Sequence, residues 1–124
     1  MLNPNVPAWF EIPVLDLDRA QRFYEAALDV TLQRQRYGGP EMAVFPRGDK
    51  PNATGALTRL PDGEPSIHGS VVYLGLDDIR PVLARVDALG GAVFVPRTEL
   101  PDGIGFFAQI RDSEGNRVGL FSPA

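Results

Sequence analysis

The hydrophobic pattern of this chain changes period in the same order twice. Trp9-Phe10-Glu11-Ile12-Pro13-Val14 reads as a strand, with Pro13 lacking a ladder donor and so favouring a strand end or an edge. Leu17, Ala20, Tyr24, Ala27 and Leu28 then recur at helical spacing. Asp16 stands ahead of them as an acceptor for first-turn amides, and Asp18 suits the dipole of that turn. Three strand-like runs follow, Val30 to Arg36, Glu41 to Pro46 and Ala53 to Leu60. Tyr37-Gly38-Gly39-Pro40 and Arg47-Gly48-Asp49-Lys50-Pro51-Asn52 separate them as turns.

After the polar break Pro61-Asp62-Gly63-Glu64-Pro65-Ser66 the order restarts. Ser70 to Gly75 is a strand, Asp77 or Asp78 a cap, and Ile79, Val82, Leu83, Val86 and Leu89 the stripe of a helix over 78–89. Pro81 falls where a missing amide costs little, and Gly90-Gly91 is a strong stop. Ala92 to Pro96, Ile104 to Arg111 and Arg117 to Ser122 supply three more strands. A shift of half the chain pairs Val14 with Leu76, Asp16 with Asp78, Leu17 with Ile79 and Ala20 with Val82. The pattern therefore predicts an α+β fold of two βαβββ modules, 1–62 and 63–124, within a single domain.

Composition narrows the function classes. The 124 residues fit one domain with a real core, and 44% apolar with 23% charged residues is ordinary for a globular protein. With no cysteine, disulfides, thiolate metal sites and cysteine nucleophiles are excluded. A net charge of −4 and a single lysine, Lys50, argue against a nucleic-acid surface. Met1 to Asn5 carries no signal-like pattern and no run approaches the length of a membrane span, so the expectation is a cytoplasmic protein without a membrane partner. Neither glycine pair fits a phosphate-loop frame, and no serine sits in a nucleophile elbow.

Glu11-Ile12-Pro13-Val14 with Asp16-Leu17-Asp18-Arg19-Ala20 and Phe23-Tyr24, followed by Val72-Tyr73-Leu74, Asp77-Asp78, Gly90-Gly91 and Asp112-Ser113-Glu114-Gly115-Asn116 with Gly119-Leu120, resembles the glyoxalase, bleomycin-resistance and dioxygenase superfamily, the vicinal oxygen chelate proteins. The likeness spans the chain and is nearest to small proteins described as related to lactoylglutathione lyase. It implies a curled, eight-stranded half-barrel sheet with helices outside, a concave small-molecule pocket and a homodimer. It also implies four metal-ligand positions, which fall on Trp9, Val71, Gly119 and a residue within Thr54 to Leu57. None of these is a ligand by chemistry, so no metal and no cofactor are expected.

Strand parity places Trp9 and Glu11 on one face, the concave one by resemblance. Glu11 is the candidate catalytic or anchoring carboxylate, desolvated against Trp9 and Phe121; the plainer reading is an exposed or salt-bridged glutamate. Trp9, Tyr73 and Phe121 are candidate ligand-binding residues. His68, the only histidine, is a candidate at the pocket rim, or a solvent-facing loop residue. Phe45, Phe106 and Phe107 are further aromatic candidates, for core or cavity. The favoured function is binding or metal-independent transformation of a small, partly apolar molecule. The alternative is a divalent-metal-dependent lyase or dioxygenase using Glu11, His68 and Glu41 or Glu99, and a duller third option is an interaction role through the sheet edge.

Overall fold

A computed structural model describes residues 7–48 and 54–124. The first module contains β1 (Trp9–Pro13), α1 (Leu17–Leu28), β2 (Gln33–Gln35), β3 (Met42–Val44) and β4 (Thr54–Thr58). The second contains β5 (Tyr73–Gly75), α2 (Arg80–Arg85), β6 (Ala92–Glu99), β7 (Phe106–Arg111) and β8 (Arg117–Ser122). Ala53 and most of the turn ahead of β4, read from the sequence, lie outside the described residues.

Helix α1 spans the stripe read from Leu17 to Leu28, and its local signals agree. Asp16 Oδ1 accepts from the Arg19 amide at 3.0 Å, Ala20, Phe23, Tyr24 and Ala27 form the buried stripe, and Asp29 closes the helix in the left-handed region at φ 55°. Helix α2 is shorter than the predicted 78–89. Its α-type bonding runs to the Val86 amide, after which Leu89 bonds three residues back to Val86 and Gly90 turns at φ 96°. Asp78 bonds the Arg80 amide and its guanidinium from just outside the helix and does not occupy the cap itself.

The two sheets have the same strand order, β1-β4-β3-β2 and β5-β8-β7-β6, each with one parallel pair, β1 with β4 and β5 with β8. The expected α+β architecture of two βαβββ modules is what the chain adopts. Among the described residues eight strands divide into two four-stranded sheets, with no ladder between β1 and β5.

One core serves both modules. Ile12, Val14 and Leu57 from the first sheet, Ala108, Ile110, Val118 and Leu120 from the second, and Ala20, Tyr24, Val82 and Val86 from the helices form one buried cluster. The turn between β7 and β8 docks on the first helix. Asp112 Oδ2 accepts from the Tyr24 hydroxyl at 2.6 Å, Glu114 Oε1 accepts from the Leu15 and Asp16 amides, and Asn116 Nδ2 donates to the Pro13 carbonyl. These bonds satisfy buried polar groups across the module boundary, where an unpaired group would cost free energy.

Candidate functional site

Alternation assigns each strand residue to one of two faces. In the second sheet Leu74, Ala108, Val118 and Leu120 enter the core, which leaves Tyr73, Phe107, Gln109, Gly119 and Phe121 on the opposite, inner face. Register brings them together, since Gly119 pairs with both Tyr73 and Gln109, and Phe121 pairs with Phe107. Tyr73, Leu100, Phe107 and Phe121 line a hollow of about 300 Å³ there.

Two glycines make this surface possible. A Cβ on Gly119 would stand 2.3 Å from the Tyr73 ring, so the absent side chain is what lets that ring lie over β8. Gly105, at φ 140°, would likewise drive a Cβ to 3.1 Å from the Phe121 ring and 2.5 Å from the Ser122 carbonyl. Leu100 enters the hollow from the connection between β6 and β7, where its amide bonds the Gly105 carbonyl across a short 3₁₀ turn, Pro101–Gly103.

One polar chain borders the hollow. Arg117 Nη1 donates to Gln109 Oε1 at 2.8 Å, and Gln109 Nε2 donates to the Tyr73 hydroxyl oxygen at 2.7 Å. Arg117 also donates from Nε to the Ile67 carbonyl and stacks its guanidinium 4.7 Å from the Phe94 ring centroid. Tyr73 itself is 47% exposed.

The inner face of the first sheet is different. Met42, Val44 and Ala56 are buried beneath Trp9, whose ring meets Tyr37 edge-on at 6.1 Å. Glu11 is exposed and accepts from Trp9 Nε1 at 3.3 Å. The expected desolvated carboxylate against Trp9 and Phe121 is therefore not what the fold builds, because no residue of β1 reaches the hollow that Phe121 lines. Glu11 faces instead a separate, smaller hollow of about 200 Å³ with Glu64, Ser66, Ser70 and Arg117. His68 sits exposed in the loop before β5, held by its amide to Ser66 Oγ, and lines none of these hollows. Phe45 and Phe106 pack against the core, with Arg97 stacked 3.5 Å over Phe106. Phe10, Leu28, Val30, Phe45, Leu74 and Leu76 line a further hollow of about 330 Å³ at the seam between β1 and β5.

Sequence reasoning had singled out Tyr73, Phe107 and Phe121 but not Leu100, Gln109 or Arg117. The parity of Gln109 with Phe107 on β7 was a usable signal for the second of these. Leu100 had none, since its place depends on the geometry of a turn.

The family model that matches this chain, over residues 7–120, describes the Glyoxalase/Bleomycin resistance protein/Dioxygenase superfamily. The chain belongs to this superfamily. A search of curated proteins found no match. Among solved structures this superfamily member is similar to TnmS3, an antibiotic binding protein from a Streptomyces species, at 23% identity and TM-score 0.70 over 100% of both chains. It is similar to a glyoxalase/bleomycin resistance protein from Albidiferax ferrireducens at 18% identity and TM-score 0.70, over 93% of this chain and 96% of that one. Glyoxalase I from Zea mays matches at 21% identity and TM-score 0.65, over 94% of this chain and 45% of the maize chain. At these identities the likeness is one of fold.

Metal chemistry in the superfamily calls for ligands that this chain does not supply at the expected places. Ala56 pairs with Glu11 as Gly119 pairs with Tyr73, so the fourth position of the set Trp9, Val71 and Gly119 is Ala56. No three His, Asp or Glu side chains converge among the described residues. Glu11, His68, Glu41 and Glu99 are not brought together, and Glu41 is tied to Arg34 at 2.7 Å. The residues present do not fit a divalent ion, which needs several convergent donors.

Proposed function

We propose that this member of the superfamily binds a small, largely apolar molecule against Tyr73, Leu100, Phe107 and Phe121, without a metal. The observation that carries the reading is the hollow itself, about 300 Å³ of space walled by three aromatic rings and a leucine on the inner face of one sheet. Its size is at the lower end for ligand sites, and apolar walls with few polar groups are their usual make-up. The antibiotic-binding Streptomyces protein, which shares the fold, supports the same direction. A homodimer belongs to this reading, with exposed Val93 and Phe94 on β6 supplying apolar surface at the edge of the second sheet. No described helix is long and apolar enough to cross a membrane.

Titration with N-phenyl-1-naphthylamine, a neutral probe that fluoresces in apolar surroundings, tests the site. Leu100→Trp fills the hollow and is expected to weaken binding about tenfold or more, while Glu11→Gln leaves it unchanged. Equal affinity in wild type and Leu100→Trp overturns the assignment.

A further inference from the structure

We infer that the hollow selects ligands presenting a hydrogen-bond acceptor, such as a carbonyl oxygen, to the Tyr73 hydroxyl. The inference rests on the proposed ligand hollow and deepens it. It follows from the direction of the hydrogen bonds along the bordering chain.

A guanidinium donates and never accepts, so the 2.8 Å contact from Arg117 Nη1 obliges Gln109 to turn its carbonyl oxygen toward it. The opposite amide orientation would set two donors against each other. With its oxygen committed, Gln109 has only its NH₂ to offer Tyr73, and the 2.7 Å contact is therefore a donation to the phenolic oxygen. A phenol has one proton, and no acceptor among the described protein residues takes it. Arg117 is itself held in place by the Ile67 carbonyl and the Phe94 ring, so the polarity is anchored at its origin.

The consequence is a hydroxyl of fixed sense at the edge of an apolar hollow. A ligand oxygen with lone pairs meets a ready donor, whereas a ligand N–H that cannot accept meets an oxygen already receiving a bond from Gln109. Such asymmetry discriminates more sharply than the apolar wall, because a mismatched polar group loses its water partner and gains nothing.

Three neutral probes of similar size separate the possibilities by fluorescence titration: 2-acetylnaphthalene, which only accepts; 2-ethylnaphthalene, which does neither; and carbazole, which only donates. In wild type the acetyl compound is expected to bind about five- to tenfold tighter than the ethyl compound, the worth of one hydrogen bond. Tyr73→Phe keeps the ring over Gly119 and should erase that gap. Gln109→Glu should do more, since the introduced carboxylate still satisfies Arg117 but takes the Tyr73 proton, leaving the phenolic oxygen as an acceptor and favouring carbazole.

A gap that is absent in wild type, or that survives Tyr73→Phe, overturns the inference. If Leu100→Trp still weakens all three probes, the hollow stands and only the polarity argument falls. Failure of all three probes to bind wild type overturns both.

Discussion

The ring of Tyr73 occupies the space that any side chain on Gly119 would claim, with the missing Cβ only 2.3 Å from Tyr73 Cδ1. Gly119→Ala must therefore push the ring aside and break its bond to Gln109. The expected cost is about 1–3 kcal/mol of stability, of the order seen for overpacking, measured by urea denaturation. In a Tyr73→Ala background the same change should be near neutral or stabilising, and additive costs in the double-mutant cycle would refute the contact.

Asp112 gathers five donors, with the amides of Glu114, Gly115 and Asn116 on Oδ1 and the Tyr24 hydroxyl and Asn116 side chain on Oδ2. Asp112→Ala should therefore exceed 3 kcal/mol of destabilisation, since it strands several buried donors at once. Tyr24→Phe removes one of the five and should cost about 1–2 kcal/mol. Equal losses from the two variants would show that the turn is not organised by Asp112.

Glu114 gives stability a pH dependence of known sign. Burial opposes its ionisation, but the Arg19 guanidinium, the Asp16 and Leu15 amides and the Ser113 hydroxyl outweigh that, holding its pKa at about 2 against an ordinary 4.5. A pKa depressed by folding means the unfolded chain binds the proton more readily. The contribution is thus complete above about pH 5 and is lost as pH falls through 4.5 toward 2. Glu114→Gln should be less stable than wild type at pH 7, with the difference narrowing over that window in acid-dependent thermal melts.

Glu11→Gln should change stability by no more than about 0.5 kcal/mol, as is usual for an exposed position. Its partner Trp9 is the only tryptophan, so a shift in intrinsic emission would report the altered 3.3 Å contact directly. A large loss of probe affinity in this variant would restore Glu11 to the site.

How much the sequence disclosed depended on how local each determinant was. Helix α1 was legible because Asp16 and the stripe from Leu17 to Leu28 lie within one short stretch, whereas its stop at Asp29, a left-handed residue other than glycine, carried no such signal. Strand β6 was read only to Pro96 but runs to Glu99. Pro96 falls in a register shift between Val95 and Thr98, a place where a strand tolerates a proline, and nothing nearby announces the bulge. For the site, parity named Tyr73 and Phe121 correctly as inner-face residues. It could not separate Trp9 from them, because alternation gives the face of a strand and says nothing of how far one sheet stands from another. The bond from Arg117 through Gln109 to Tyr73 joins three strands, and such side-chain connections are set by tertiary register alone.

The two halves share a strand order but differ in what fills their inner faces. In the first, Met42, Val44 and Ala56 are packed shut under Trp9; in the second, the corresponding surface stays open between Tyr73 and Phe121. On the proposed reading the repeated backbone carries only one ligand hollow of this kind, and saturation should come at one ligand per chain. The closed half can then drift only within the limits of packing, while the open half is free to change its chemistry at Leu100, Gln109 and Phe107 without disturbing the common core.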